Sequence, residues 1–167
     1  MATRADWATG YARQADADFK TFEQLQALSI PECHKLQFLQ MACEMLVKAH
    51  LCGVGTEPAA LQTSHAYVAN TLPVVLRQQA VFVNLTSRKA REGLKQTRQL
   101  AAEIDVLAPT VKRGGLRPDN CEYPWEDNGG KLHVPLDWSF PPSQLIVIPA
   151  GRTVLKLIRG AINRLLR

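Results

Sequence analysis

The sequence predicts an all-α fold, a bundle of four to five helices with an irregular Pro/Gly-rich arm before the last helix, and three observations carry that expectation. Apolar residues recur three or four positions apart through most of the first 108 residues, the period of one helical face. Helix breakers concentrate between 110 and 142, where Gly114-Gly115, Pro118, Pro124, Gly129-Gly130, Pro135 and Pro141-Pro142 fall. The segment from Gly151 to Arg167 is amphipathic, with Val154, Leu155, Ile158, Ala161, Ile162 and Leu165 on one side. With 167 residues and 46% hydrophobic content the chain can bury one core, and the composition excludes collagen-like, disordered and disulfide-scaffold classes.

Helix one is expected from Asp6 to about Leu28, on the stripe Trp7, Tyr11, Ala15, Phe19, Phe22, Leu25 and Leu28. Pro31 suits the first turn of a second helix, with Ser29 as its cap and Gly53-Val54-Gly55 as its stop. A loop over 53–62 follows. Thr63 or Ser64 then caps a third helix carrying His65, Val68, Leu72, Leu76, Ala80 and Val83, with a kink expected near residue 70 because Pro73 lies inside it.

Thr86 and Ser87 offer caps for a fourth helix that ends at Pro109. Its outer face is basic (Arg88, Lys89, Arg91, Lys95, Arg98) and its inner face apolar (Ala90, Leu94, Leu100, Ile104, Leu107). Glu92 and Glu103 interrupt the basic face, which makes either a phosphate-contacting stripe or an ordinary solvated surface. In the arm, Asp127-Asn-Gly-Gly130 is turn-like and Lys131-Leu-His-Val134 alternates, so a short hairpin limited by Pro135 is expected. The organisation is a single domain: a bundle over 1–109, an arm over 110–150 packed on it, and a basic C-terminal helix over 151–167.

The net charge of +5 is unevenly placed. No acidic residue follows Asp137, whereas Arg152, Lys156, Arg159, Arg164 and Arg167 do, so 1–137 sum to zero. The surplus therefore sits on the last helix, which packs on the bundle or attaches to a membrane or nucleic-acid surface; the bundle reading is preferred and a membrane partner is not expected. The N-terminus has no apolar secretory core, and the longest apolar run, Leu145 to Ala150, is too short to span a bilayer, so a cytoplasmic location is expected. Cys33, Cys43, Cys52 and Cys121 lack CxxC spacing and read as reduced, buried thiols. Cys33, His34, His50 and Cys52 have no finger-like spacing, so no metal is expected, and no motif implies a cofactor.

The run from Glu32 to Leu51, then Gly53-Val-Gly55, then Ser64-His65 to Leu72, resembles the middle of a HEPN domain, the "higher eukaryotes and prokaryotes nucleotide-binding" group of helical bundles. The likeness rests on Glu44, Lys48 and Ala49 late in the second helix, on His65 with Leu72 seven residues on, and on Tyr11 to Phe19 in the first helix. It covers about residues 8 to 108. Taken from the residues alone, Glu44 and Lys48 stand four apart in the favourable order and read as a surface ion pair worth a few tenths of a kcal/mol.

Family members that cut RNA resemble one another in an Arg-x(4–6)-His motif, which supplies a phosphate-binding fork and a proton carrier. No Arg precedes His34, His50, His65 or His133 at that spacing. The resemblance therefore implies a non-catalytic binding or interaction module, homodimeric or bound to a protein partner such as a nucleotidyltransferase-linked, toxin-antitoxin or defence component, with RNA or a nucleotide as a further ligand. A second hypothesis is an RNA- or nucleotide-processing enzyme with an atypical site, for which His65, Arg117 and Glu122 are the catalytic candidates. Binding candidates are His34, Lys48, His65, Arg117, Asn120, Tyr123 and Trp125; Tyr123 and Trp125 offer flat apolar bodies with polar handles and Arg117 a fork for phosphate or carboxylate. The alternative for the arm is that its aromatics close the bundle core.

Overall fold

The computed structural model describes residues 2–63, 67–84, 88–109 and 119–167, apart from the side chains of Lys89 and Ala90. The chain is all-α, as expected, with helices α1 (Arg4–Gln26), α2 (Glu32–Gly53), α3 (Pro58–Gln62), α4 (Val68–Phe82), α5 (Arg88–Asp105), α6 (Pro141–Val147) and α7 (Pro149–Leu165). A two-stranded antiparallel hairpin, β1 (Trp125–Glu126) and β2 (Leu132–His133), stands in the arm, followed by a 3-10 turn over Pro135–Asp137.

Helix α2 is the centre of the bundle. Thirteen of its 22 residues are buried against five of 23 in α1, and it touches α1, α4, α5, α6 and α7. The five-residue link after α1 makes α1 and α2 a helical hairpin, and α4 and α5 pack as a second pair. Phe19 and Phe22 from α1, Leu36, Leu39 and Leu46 from α2, Leu72 and Leu76 from α4, Leu100 and Ile104 from α5, and Ile158 and Ile162 from α7 meet in one core. Truncating one such Leu to Ala costs about 2–5 kcal/mol.

Helix α7 straps this assembly. The Arg159 guanidinium donates to Asp16 Oδ1 at 2.7 Å and to Glu23 Oε2, and it lies 4.6 Å from the Phe19 ring centroid. Two glycines permit close crossings: a Cβ at Gly93 of α5 would meet Thr153 Cγ2 at 3.0 Å, and one at Gly160 would meet Gln79 Nε2 of α4 at 2.6 Å. A third, Gly151, sets the turn between α6 and α7, because a Cβ there would sit 1.9 Å from the Leu145 carbonyl oxygen.

Several boundaries differ from the sequence expectation for identifiable reasons. Thr3 and Asp6 form a reciprocal capping box, which starts α1 two residues early. Ser29 does not cap α2; Pro31 itself occupies the N-cap position, with no side-chain cap bond. The expected loop over 53–62 contains α3, opened by Pro58, and α6 opens on Pro141-Pro142, because Pro is favourable in a first helical turn. The last helix starts at Pro149 for the same reason. Pro73 sits within α4 without interrupting the helix. Leu28 and Val83, expected on core stripes, are exposed because each lies beyond the end of its helix. Ser64, Thr86 and Ser87, expected as caps, lie outside the described residues.

The start of α4 is satisfied from a distance. Buried Asp105, at the end of α5, accepts from the backbone N–H of Val68 at 2.9 Å and of Ala69 at 3.2 Å. Thr63, one of the expected caps, instead ends α3. Asp105→Ala therefore removes the acceptor for two amides and is expected to lower stability by about 2 kcal/mol, with Asp105→Asn retaining part of it; chemical denaturation of the two variants checks this.

Candidate functional site

Two polar constellations stand out, one inside the bundle and one on the arm. On α2, Gln40, Glu44 and Lys48 follow at four-residue spacing and share one face. Lys48 Nζ lies 2.7 Å from Glu44 Oε1, and Gln40 Nε2 donates to Glu44 Oε2 at 2.9 Å. The Glu44 and Lys48 side chains are 5% and 4% exposed, so the pair expected at the surface is buried. Helical spacing identified the partners; it could not report that α2 is enclosed on every side. In water such a pair contributes tenths of a kcal/mol, whereas removing one partner from an enclosed pair strands a charge at about 3–5 kcal/mol.

Nearby groups respond to the same enclosure. The Tyr11 phenol is raised first by burial and then by the neighbouring Cys52 and Glu44. All four cysteines are free and buried, and burial pushes the Cys43 and Cys121 thiols far up, which suits inert core residues rather than nucleophiles. On α1, burial also raises the Asp18 carboxyl, whose Oδ1 accepts from Gln14 at 2.9 Å.

The second constellation is the hairpin. Trp125 and His133 are directly paired across the strands, their rings stacked at 5.9 Å. Trp138 meets Trp125 edge-on at 5.4 Å and His133 at 4.9 Å, and Phe140 anchors the group at 6.4 Å from Trp125. Trp125 and Phe140 are buried in the bundle core, which fixes the hairpin to it. Asp127 organises the turn: Oδ1 accepts from the N–H of Gly129 at 2.9 Å and of Lys131 at 3.0 Å, and Oδ2 lies 2.8 Å from His133 Nε2. The His133 hydrogen bond, followed by the Lys131 and Gly129 amides, pulls the Asp127 carboxyl down to about 2. An ionised carboxylate only accepts, so Nε2 carries the proton. A cleft of about 400 Å³ opens beside it, lined by Lys131, Leu132, His133, Val134, Asp137 and Trp138.

The sequence-derived candidates scatter. His34 is exposed at the start of α2, and Lys48 is sealed inside the bundle, where no outside ligand reaches it. Buried Asn120 has a backbone role, its Oδ1 accepting from the N–H of Glu122 at 2.9 Å and of Tyr123 at 2.7 Å. Glu122 and Tyr123 are exposed on the arm; Trp125 is a core anchor, as the core-closing alternative had it. His65 and Arg117 lie outside the described residues, so the grouping of His65, Arg117 and Glu122 has no geometry to report. Sequence reasoning missed Asp127, His133 and Trp138 as a unit. The available signal was a hairpin whose turn begins at Asp127, which returns position 133 beside 125 and 127.

Among the described residues no group of His, Cys, Asp and Glu is arranged to hold a metal ion, and no helix is long and apolar enough to cross a membrane. The apolar face of α7, with Val154, Leu157, Ile158 and Ile162, is buried in the bundle. No family model, curated protein or solved structure matches this chain.

Two outcomes follow. Glu44→Ala is expected to destabilise the fold by about 3–5 kcal/mol, and the double change Glu44→Leu with Lys48→Met to restore most of that loss, as read by denaturant titration. For Asp127, a carboxyl held below its ordinary range favours the folded hairpin above that range, and the contribution is lost as the pH falls toward about 2. Protection of the Gly129 and Lys131 amides in NMR exchange is therefore expected to fall across the acid range, and to become pH-independent there in Asp127→Asn.

Proposed function

We propose that the chain is a non-catalytic, HEPN-like helical interaction module that recognises a protein partner through its arm. The observation that carries this reading is the hairpin itself. Trp125 and Phe140 root it in the core, while Leu132 and Trp138 line the cleft beside His133 and Tyr123 and Leu136 stand exposed elsewhere on the arm. Large apolar side chains held outward on a rigid support, next to a few polar groups, are the make-up of a binding surface. The bundle, the order of Glu44, Lys48, Ala49 and His65, and the missing Arg-x(4–6)-His spacing support the HEPN-like, non-cutting part of the proposal. Among the described residues no hydroxyl or thiol is hydrogen-bonded to His133, which favours recognition over nucleophilic chemistry.

The kind of partner follows from the resemblance: a second copy, or a nucleotidyltransferase, toxin-antitoxin or defence component. Light scattering on the purified chain and affinity capture from its source cell test it. A dimer or a stoichiometric partner is expected, lost at least about tenfold in affinity in Tyr123→Ala/Leu136→Asp with an unchanged melting curve, because such anchors carry about 2 kcal/mol or more each. A strict monomer with no recoverable partner overturns the reading. Cleavage of mixed RNA abolished by His65→Ala or His133→Ala would replace it with the enzyme.

A further inference from the structure

Helix α5 gives one side to the core through Leu100, Ala101 and Ile104 and the other to solvent. Arg88, Arg91, Lys95 and Arg98 fall three or four residues apart on that outer side, all exposed, along about 15 Å of axis. Between residues 88 and 102 the only acid is Glu92, which pairs with Arg88 at 3.3 Å. Among the described residues no ion pair engages Arg91, Lys95 or Arg98.

The crossing with α7 extends this row. Gly93 packs on Ala150 and Thr153, so the crossing falls beside exposed Arg152; exposed Lys156, one turn on, lines the cleft between α1 and α7 with Phe19, Phe22 and Glu23. No acid occurs from 138 to the end of the chain. Asp16 and Glu23 of α1 are ion-paired with Arg159, and among the described residues no ion pair engages Arg152 or Lys156. The first four turns of α5, with Glu92 as their one acid, thus meet an acid-free α7 at one seam.

We propose that the joined outer surface of α5 and α7 binds the phosphate backbone of a duplex nucleic acid without reading sequence. Arginines dominate the row, and their planar forks match phosphate oxygens. A duplex offers one charge about every 1.7 Å of axis, so a rigid row of this length meets several phosphates at once. Single-strand binding relies on aromatic platforms for the bases, and the described outer side chains of α5 include none. A membrane surface is disfavoured because the apolar side of α7 is inside the bundle and the outer face of α5 shows no large apolar side chain among those described. This surface lies on other elements than the arm and stands independently of the partner reading.

The test is fluorescence anisotropy of the full chain with a labelled duplex two turns long, as DNA and as RNA, between about 50 and 200 mM salt. The expected plot of log affinity against log salt is linear with a slope steeper than about −3. Arg91→Gln/Lys95→Gln/Arg98→Gln lowers its magnitude by about 3 and weakens low-salt binding at least about tenfold. Should that variant lose its helical circular dichroism, Arg152→Gln/Lys156→Gln gives a separate reading, with an expected drop of about 2. Absence of duplex binding at low salt, a slope unmoved by the folded variants, tighter binding of a single strand, or binding to phosphatidylserine vesicles without duplex binding each overturns the proposal.

Discussion

The buried pair of Glu44 and Lys48 is the constraint around which the other helices must close. Two charges inside a bundle are tolerable only if each has the other at hydrogen-bonding distance and further hydrogen bonds satisfy what remains, and Gln40 contributes such a bond to the carboxylate. A pair of this kind adds little over well-packed hydrophobes. Because Glu44, Lys48 and Gln40 all stand on α2, the pair travels with that helix, and what the neighbouring helices supply is the enclosure around it. The pair lies in a helix of which thirteen of 22 residues are buried, against five of 23 in α1.

Closure of the bundle is completed by α7, and the arm inherits its rigidity from that closure. Arg159 ties α7 to α1, Gly160 lets it approach α4, and Gly93 lets it approach α5. The tight turn at Gly151 then dictates where α6 and Phe140 sit. At its other end the arm is held by the Cys121 N–H, which donates to the Leu107 carbonyl at 3.1 Å. With Cys121 hydrogen-bonded to Leu107 and with Trp125 and Phe140 in the core, the hairpin is held against the bundle.

Much of this was legible from helical period alone. Positions such as Phe19, Phe22, Leu72, Leu76, Ile104 and Ile158 announce the inner faces of five long helices, and Asp127-Asn-Gly-Gly130 announces the hairpin. Burial of a polar stripe was not legible, because a count of apolar positions assigns Glu44 and Lys48 to the outside. Nor was the cap of α4, since Asp105 lies 37 residues from Val68 and local capping rules search only neighbours. Helices α3 and α6 were hidden for a different reason: Pro58, Pro141 and Pro142 read as breakers, and whether a Pro ends one helix or opens the next depends on what packs behind it. The cluster of Asp127, His133 and Trp138 was half visible, as a turn whose register had still to be fixed.

The charge of the molecule takes a different form once its side chains are placed. From the sequence the surplus of +5 belongs to five residues of the last helix. In the fold four of them have different surroundings. Arg159 is neutralised by two carboxylates, and Arg164 lies 5.7 Å from the Phe82 ring centroid, its charge adding to burial in holding the His50 imidazole below its ordinary value. Arg152 stands beside the crossing with α5, a helix that sets five cations against Glu92, Glu103 and Asp105, and Lys156 lines the cleft between α1 and α7. Neutrality of the first 137 residues is thus an average that includes an acidic stretch over 119–137, five acids against one Lys, and a basic α5, five cations against three acids. The electrostatic feature that matters is the seam where α5 meets α7, a property of helix packing that no run of consecutive residues displays.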